Sequence, residues 1–77
     1  MNVSEIQKAV KLPVEAVYDF GDSFLVCARK SKDEFDPWKI VDKKTYKVRW
    51  LDMRKEGKRF METMRTKPLY GSFKPGK

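Results

Sequence analysis

The chain contains no histidine and a single cysteine, Cys27. Without histidine, zinc sites of the Cys/His type are excluded, as are catalytic dyads and triads that use an imidazole base. One thiol allows no internal disulfide. Set between Val26 and Ala28, Cys27 reads as a buried structural thiol with no base to activate it. No apolar run approaches the roughly 18 residues that a membrane-spanning helix needs. The first residues lack a basic-then-apolar leader. With the lone thiol, that sets the expectation of a cytoplasmic protein.

A chain of 77 residues allows one domain and one thin core. Such a core supplies about 3–5 kcal/mol. Most enzymes need a deeper cleft than so short a chain can wall, so no catalytic residue, metal or cofactor is expected. What is present is 40% hydrophobic and 13% aromatic residues, enough to favour a folded domain over a disordered one.

Eighteen lysines and arginines against eleven acids leave a net charge of +7. Residues 1–36 hold five positive and seven negative side chains, whereas residues 37–77 hold thirteen and four. An anionic partner is therefore expected on the second half of the chain.

Residues 4–11 read as a short helix with Ser4 as N-cap and Gln7 completing a capping box. Val3, Ile6 and Val10 form its apolar stripe, and Pro13 stops it. Residues 14–20 and 23–29 read as a hairpin around Gly21-Asp22, with glycine first as type II′ turns prefer. The second of these strands is apolar on both faces, which predicts a central place in the sheet. Residues 30–37 read as a polar loop. A second hairpin joins 38–42 to 46–51 around Lys43-Lys44-Thr45. Alternation puts Tyr46, Val48 and Trp50 with Trp38 and Ile40 on an apolar face, and Lys39, Lys47 and Arg49 on a basic one.

Residues 53–65 read as a longer helix capped by Asp52. Met53, Gly57, Phe60, Met61 and Met64 make its stripe, with Gly57 marking a close approach to the sheet. Residues 66–77 read as a basic tail whose Leu69, Tyr70 and Phe73 either pack back on the domain or dock on a partner. The predicted fold is α+β: residues 1–65 form a small, mostly antiparallel sheet of about four strands, in two hairpins. Both helices are expected on one face of it.

Three strings suggest chemistry and fall short of it. Residues 71–77 spell G-x-x-x-x-G-K without the final hydroxyl residue and helix of a P-loop. Asp42-Lys43-Lys44 with Asp33, Glu34 and Asp36 resembles a nuclease metal site but reads better as polar loops. The acidic residues at 33–36 lack the glycine and late glutamate of a calcium-binding loop. The basic helix needs its apolar stripe for the core, so a membrane partner is not expected.

The signal above background is basic. Lys39, Lys43, Lys44, Lys47 and Arg49 lie on the second hairpin, and Arg54, Lys55, Lys58 and Arg59 on the following helix. If hairpin and helix pack through their apolar faces, the helix lies on the side of the sheet opposite Lys47 and Arg49. Trp38, Tyr46 and Trp50 are candidate stacking platforms for single-stranded bases, although a small domain needs such residues in its core.

Residues 36–50, Asp-Pro-Trp-Lys-Ile-Val-Asp-Lys-Lys-Thr-Tyr-Lys-Val-Arg-Trp, resemble a hairpin of small phage and mobile-element proteins and of some bacterial immunity-protein domains. There the pattern runs aromatic-x-Val-Asp-Lys-Lys-Thr-Gly-x-Val. This chain carries Tyr46 where that pattern has glycine. The resemblance implies a phage or accessory-gene origin, a bacterial host cytoplasm, and binding in place of catalysis. Two functions are thus expected: a DNA- or RNA-binding module using the basic residues above, or an accessory factor docking on an acidic protein or a second copy of itself through Leu69, Tyr70 and Phe73.

Overall fold

Each helix forms where a short polar side chain can take up free backbone N–H groups. Asn2, not Ser4, caps the first helix, its side chain accepting from the Glu5 N–H at 3.2 Å. Gln7 instead accepts from the Val14 N–H at 3.0 Å, tying the helix to the strand that follows. Lys11 ends this helix in the left-handed conformation, φ 62°, two residues before Pro13. Asp52 caps the second helix as expected, accepting from the N–H groups of Arg54 and Lys55.

The computed structural model describes residues 1–73. Its elements are α1 (Val3–Val10), β1 (Val14–Phe20), β2 (Ser23–Ser31), β3 (Glu34–Phe35), β4 (Lys39–Asp42), β5 (Val48–Trp50), α2 (Met53–Thr63) and β6 (Tyr70–Gly71). The sheet is antiparallel, in the order β5-β4-β2-β1-β6, with β3 paired to the far end of β2. The fold is α+β, and its four longer strands are the two predicted hairpins. The additions are two-residue strands. One lies within the segment expected as the loop 30–37, and the other within the expected tail. Gly21 takes φ 80° while Asp22 does not leave negative φ, so the first hairpin turns with positive φ at its glycine alone.

Alternating residues of the central strands fill two cores. Val14, Val17, Phe24, Val26, Ala28 and Val41 pack with Ile6 and Val10 of α1. Ala16, Tyr18, Phe20, Leu25, Cys27 and Ile40 pack with Phe60 and Met64 of α2. The helices therefore cover opposite faces, correcting the expectation that both lie on one. The reason is in β2, whose run Phe24 to Ala28 is buried throughout. A strand apolar on both faces needs a cover on each.

The stripe of α2 is also shifted. Phe60, Thr63 and Met64 turn toward the sheet, whereas Met53 and Met61 are exposed at 55% and 58%. Gly57 makes no close approach: a methyl group there would meet just the tip of Met53 at 4.0 Å.

The segment after α2 folds back. The Leu69 N–H donates to the Val17 carbonyl, and β6 pairs with Ala16 and Val17 of β1. A side chain at Gly71, φ 64°, would collide with the Glu15 carbonyl, which is why glycine stands at this edge. Phe73 enters the α2-side core, edge-on to Phe35 at 5.3 Å and Trp38 at 5.0 Å. The last four residues of the G-x-x-x-x-G-K string lie outside the described residues.

Candidate nucleic-acid interface

The basic residues are placed by the turn between β4 and β5. Asp42 accepts through Oδ1 from the N–H groups of Lys44 and Thr45, and its N–H donates to the Lys47 carbonyl. Those donors hold the Asp42 carboxyl below its ordinary range, Thr45 contributing most, then Lys44. Asp42 thus serves the turn. Tyr46 follows with φ 61°, a left-handed residue beyond the three expected in the turn.

That residue shifts the register by one. The pairs are Lys39 with Trp50, Ile40 with Arg49 and Val41 with Val48. A slip of one residue exchanges the faces of a strand. Lys39 therefore shares a face with Trp50 on the α1 side, and Arg49 shares a face with Ile40 on the α2 side, contrary to the expected sorting into one basic and one apolar face. Tyr46 turns out of the strand and packs on the α1-side core against Phe24.

Four of the nine candidate cations are committed within the fold. Lys39 is paired with Asp36, with side chains 13% and 5% exposed, and its ammonium lies 4.9 Å from the centre of the Trp50 ring. Lys43 bonds Asp19 at 2.8 Å across the two turns and lies over Phe24. That pair, with the Gly21 N–H, holds the Asp19 carboxyl below its usual range. Arg49 grips Glu56 of α2 through two bonds of 2.9 and 2.6 Å. The guanidinium, aided by the Asp52 N–H, lowers the Glu56 carboxyl to a pKa of about 2, and Glu56 raises that of Arg49. Arg59 donates to the Phe20 carbonyl at 2.9 Å and covers the Phe20 ring.

The Arg49–Glu56 bonds have a second consequence. They put α2 on the same side of the sheet as Arg49, not on the opposite side as expected. Lys47, two residues away, shares that side and lines a shallow groove of about 330 Å³ with Thr45 and Arg49. Among the described residues, Lys44, Lys47, Arg54, Lys55 and Lys58 are exposed and enter no ion pair. These five are the ones left free among the nine candidates. Of the anchors proposed for a protein partner, Leu69, just before β6, and Tyr70 on it stay exposed, and Phe73 packs half-buried against the α2-side core.

Of the three candidate stacking aromatics, Trp38 sits among Tyr18, Phe60 and Phe73, and Tyr46 is half-buried. Trp50 is 63% exposed. Sequence periodicity missed this difference because it depends on the one-residue register shift. No cluster of three acids, cysteines or histidines that could hold a metal is found among the described residues. Cys27 is buried, and burial pushes its thiol up to about 11, so it remains protonated near neutrality. No described helix is long and apolar enough to cross a membrane.

No family model, no curated protein and no solved structure matches this chain.

Proposed function

We propose that this protein is a small non-enzymatic nucleic-acid-binding module, an accessory factor of the kind that residues 36–50 resemble. The observation that carries the reading is the set of exposed, unpaired cations Lys44, Lys47, Arg54, Lys55 and Lys58, with α2 and Lys47 on one side of the sheet. Lysine and arginine heads without internal partners keep their full charge for phosphates, and they read backbone, not base identity. Lys39, Lys43, Arg49 and Arg59 contribute to the field but not to direct contacts. Fluorescence anisotropy against a DNA duplex, a single strand and an RNA hairpin tests this. Five phosphate contacts on duplex imply a loss of about 500-fold in affinity between about 50 and about 200 mM salt. Lys47→Glu with Lys58→Glu should flatten that slope. No binding at the lower salt overturns the reading.

A second reading, docking on an acidic protein, is supported by Leu69, just before β6, and Tyr70 on that edge strand, which stand exposed at 49% and 42%. Edge strands with exposed apolar side chains are natural sites for strand addition. A pull-down that depends on both residues would favour it.

A further inference from the structure

After proline, glycine is the poorest residue for a helix interior, so Gly57 in the middle of α2 needs a reason. The fold supplies none. Its φ is not left-handed, and apart from the tip of Met53 no atom of the described elements around it reaches within 4 Å of where a side chain would begin. Met53 and Met61 stand four residues before and after it, and both are more than half exposed. At about 100° per residue, these two lie about 40° to either side of Gly57. Phe60 lies about 60° round toward the sheet, and Arg54 and Lys58 about 60° and 100° the other way. The apolar arc of α2 thus runs past the contact of Phe60 and Met64 with the core and out onto the surface. There it meets two exposed cations that enter no ion pair.

We propose that this outer strip of α2 docks an acidic amphipathic helix of a partner protein. The inference stands apart from the nucleic-acid reading, because Met53, Gly57 and Met61 are not among its cations, and it uses other residues than the β6 edge. The shape argues for a helix. Large side chains four residues apart form a ridge, and a glycine between them leaves a gap in it that the ridge of a crossing helix fills. Methionine suits such a surface, since its flexible thioether adapts to what packs on it. The charge argues for acidic flanks. One border of the strip is already turned to the sheet, so an incoming helix lies toward Arg54 and Lys58, whose free charges match glutamate or aspartate. The same border repels a second copy of this +7 chain. A nucleic-acid backbone would satisfy the cations but leave Met53 and Met61 nothing apolar to bury against.

The test uses a labelled synthetic peptide of about 18 residues, long enough to be helical, with a leucine and alanine stripe edged by glutamates. Its counterpart carries lysine at every glutamate, and a DNA duplex is titrated in parallel. Anisotropy is read for the wild type, Gly57→Leu, Met53→Ala/Met61→Ala and Lys58→Glu. The acidic peptide should bind and the lysine peptide should not. Leucine is the better helix former and fills the gap, so Gly57→Leu should raise the Tm yet weaken the acidic peptide about tenfold. The double methionine variant should cost about as much, and Lys58→Glu should weaken the peptide further as salt is lowered. Neither Gly57→Leu nor the double methionine variant should change duplex binding. Failure of the acidic peptide to bind, equal binding of both peptides, or a Gly57→Leu variant that melts lower or binds as the wild type overturns the docking strip. An equal loss of duplex and peptide binding in Gly57→Leu also overturns it, and makes the strip a nucleic-acid contact.

Discussion

Replacing Lys39 with methionine separates a structural cation from a binding one. The Lys39–Asp36 pair is nearly enclosed, with the carboxylate side chain 5% exposed. Methionine keeps most of the apolar stem and removes the charge, so little packing is lost. Asp36 is left as an uncompensated buried charge. Removing one partner of such a pair costs about 3–5 kcal/mol, and the lost contact with the Trp50 ring adds about 0.5–1 kcal/mol. Since Lys39 keeps some exposure, about 3 kcal/mol is the expected total. A core of this size supplies about 3–5 kcal/mol in all. Lys39→Met should therefore lie close to its unfolding midpoint at room temperature. Urea denaturation followed by tryptophan fluorescence measures this. The double variant Asp36→Asn/Lys39→Met removes both charges and should recover about half of the loss, a coupling that a double-mutant cycle isolates. A Lys39→Met midpoint equivalent to within about 0.5 kcal/mol of the wild type, with weakened nucleic-acid binding, would refute this reasoning. Lys39 would then be a solvent-facing phosphate contact.

Other expectations follow from single positions. Glu56 has its folded pKa depressed from 4.5 to about 2 by Arg49, so its pair stabilises the fold fully above about pH 4.5 and is lost as pH falls toward 2. With Arg49 half exposed, the loss should be about 1 kcal/mol, and acid titration of Glu56→Gln by circular dichroism should show a shallower fall than the wild type. Gly57→Ala makes only an ordinary contact with the tip of Met53 at 4.0 Å and should stabilise α2 by about 1 kcal/mol, read as a rise in Tm of about 4–8 °C. At Tyr46, φ 61°, the glycine variant should melt above the alanine variant by about 1 kcal/mol, because alanine bears the left-handed penalty without the packing on Phe24.

The candidate site was partly legible in advance. Asp52 as cap, the Gly21 turn and the position of β2 inside the sheet follow from local chemistry and survive in the structure. Thr63, Phe60 and Met64 were harder to sort from Met53 and Met61, because the apolar positions along this segment span more of the helix than its contact face needs. The sorting of Lys39, Arg49 and Trp50 failed for a sharper reason. Alternation is a pattern of period two, so one left-handed residue at Tyr46 exchanges every assignment beyond it.

The sequence by itself determined the α+β class, the basic second half of the chain, and the exclusion of histidine chemistry and of an internal disulfide. These depend on composition, caps and turn residues, which act over a few neighbours. The tertiary structure decided which cations remain free, because Asp19 and Glu56 reach Lys43 and Arg49 from other elements and the fold encloses the neighbouring Asp36–Lys39 pair. It also decided that Trp50 stands at the surface while Trp38 lies inside. Burial and charge pairing depend on what the fold brings close in space, and that distance is not written in any local stretch of chain.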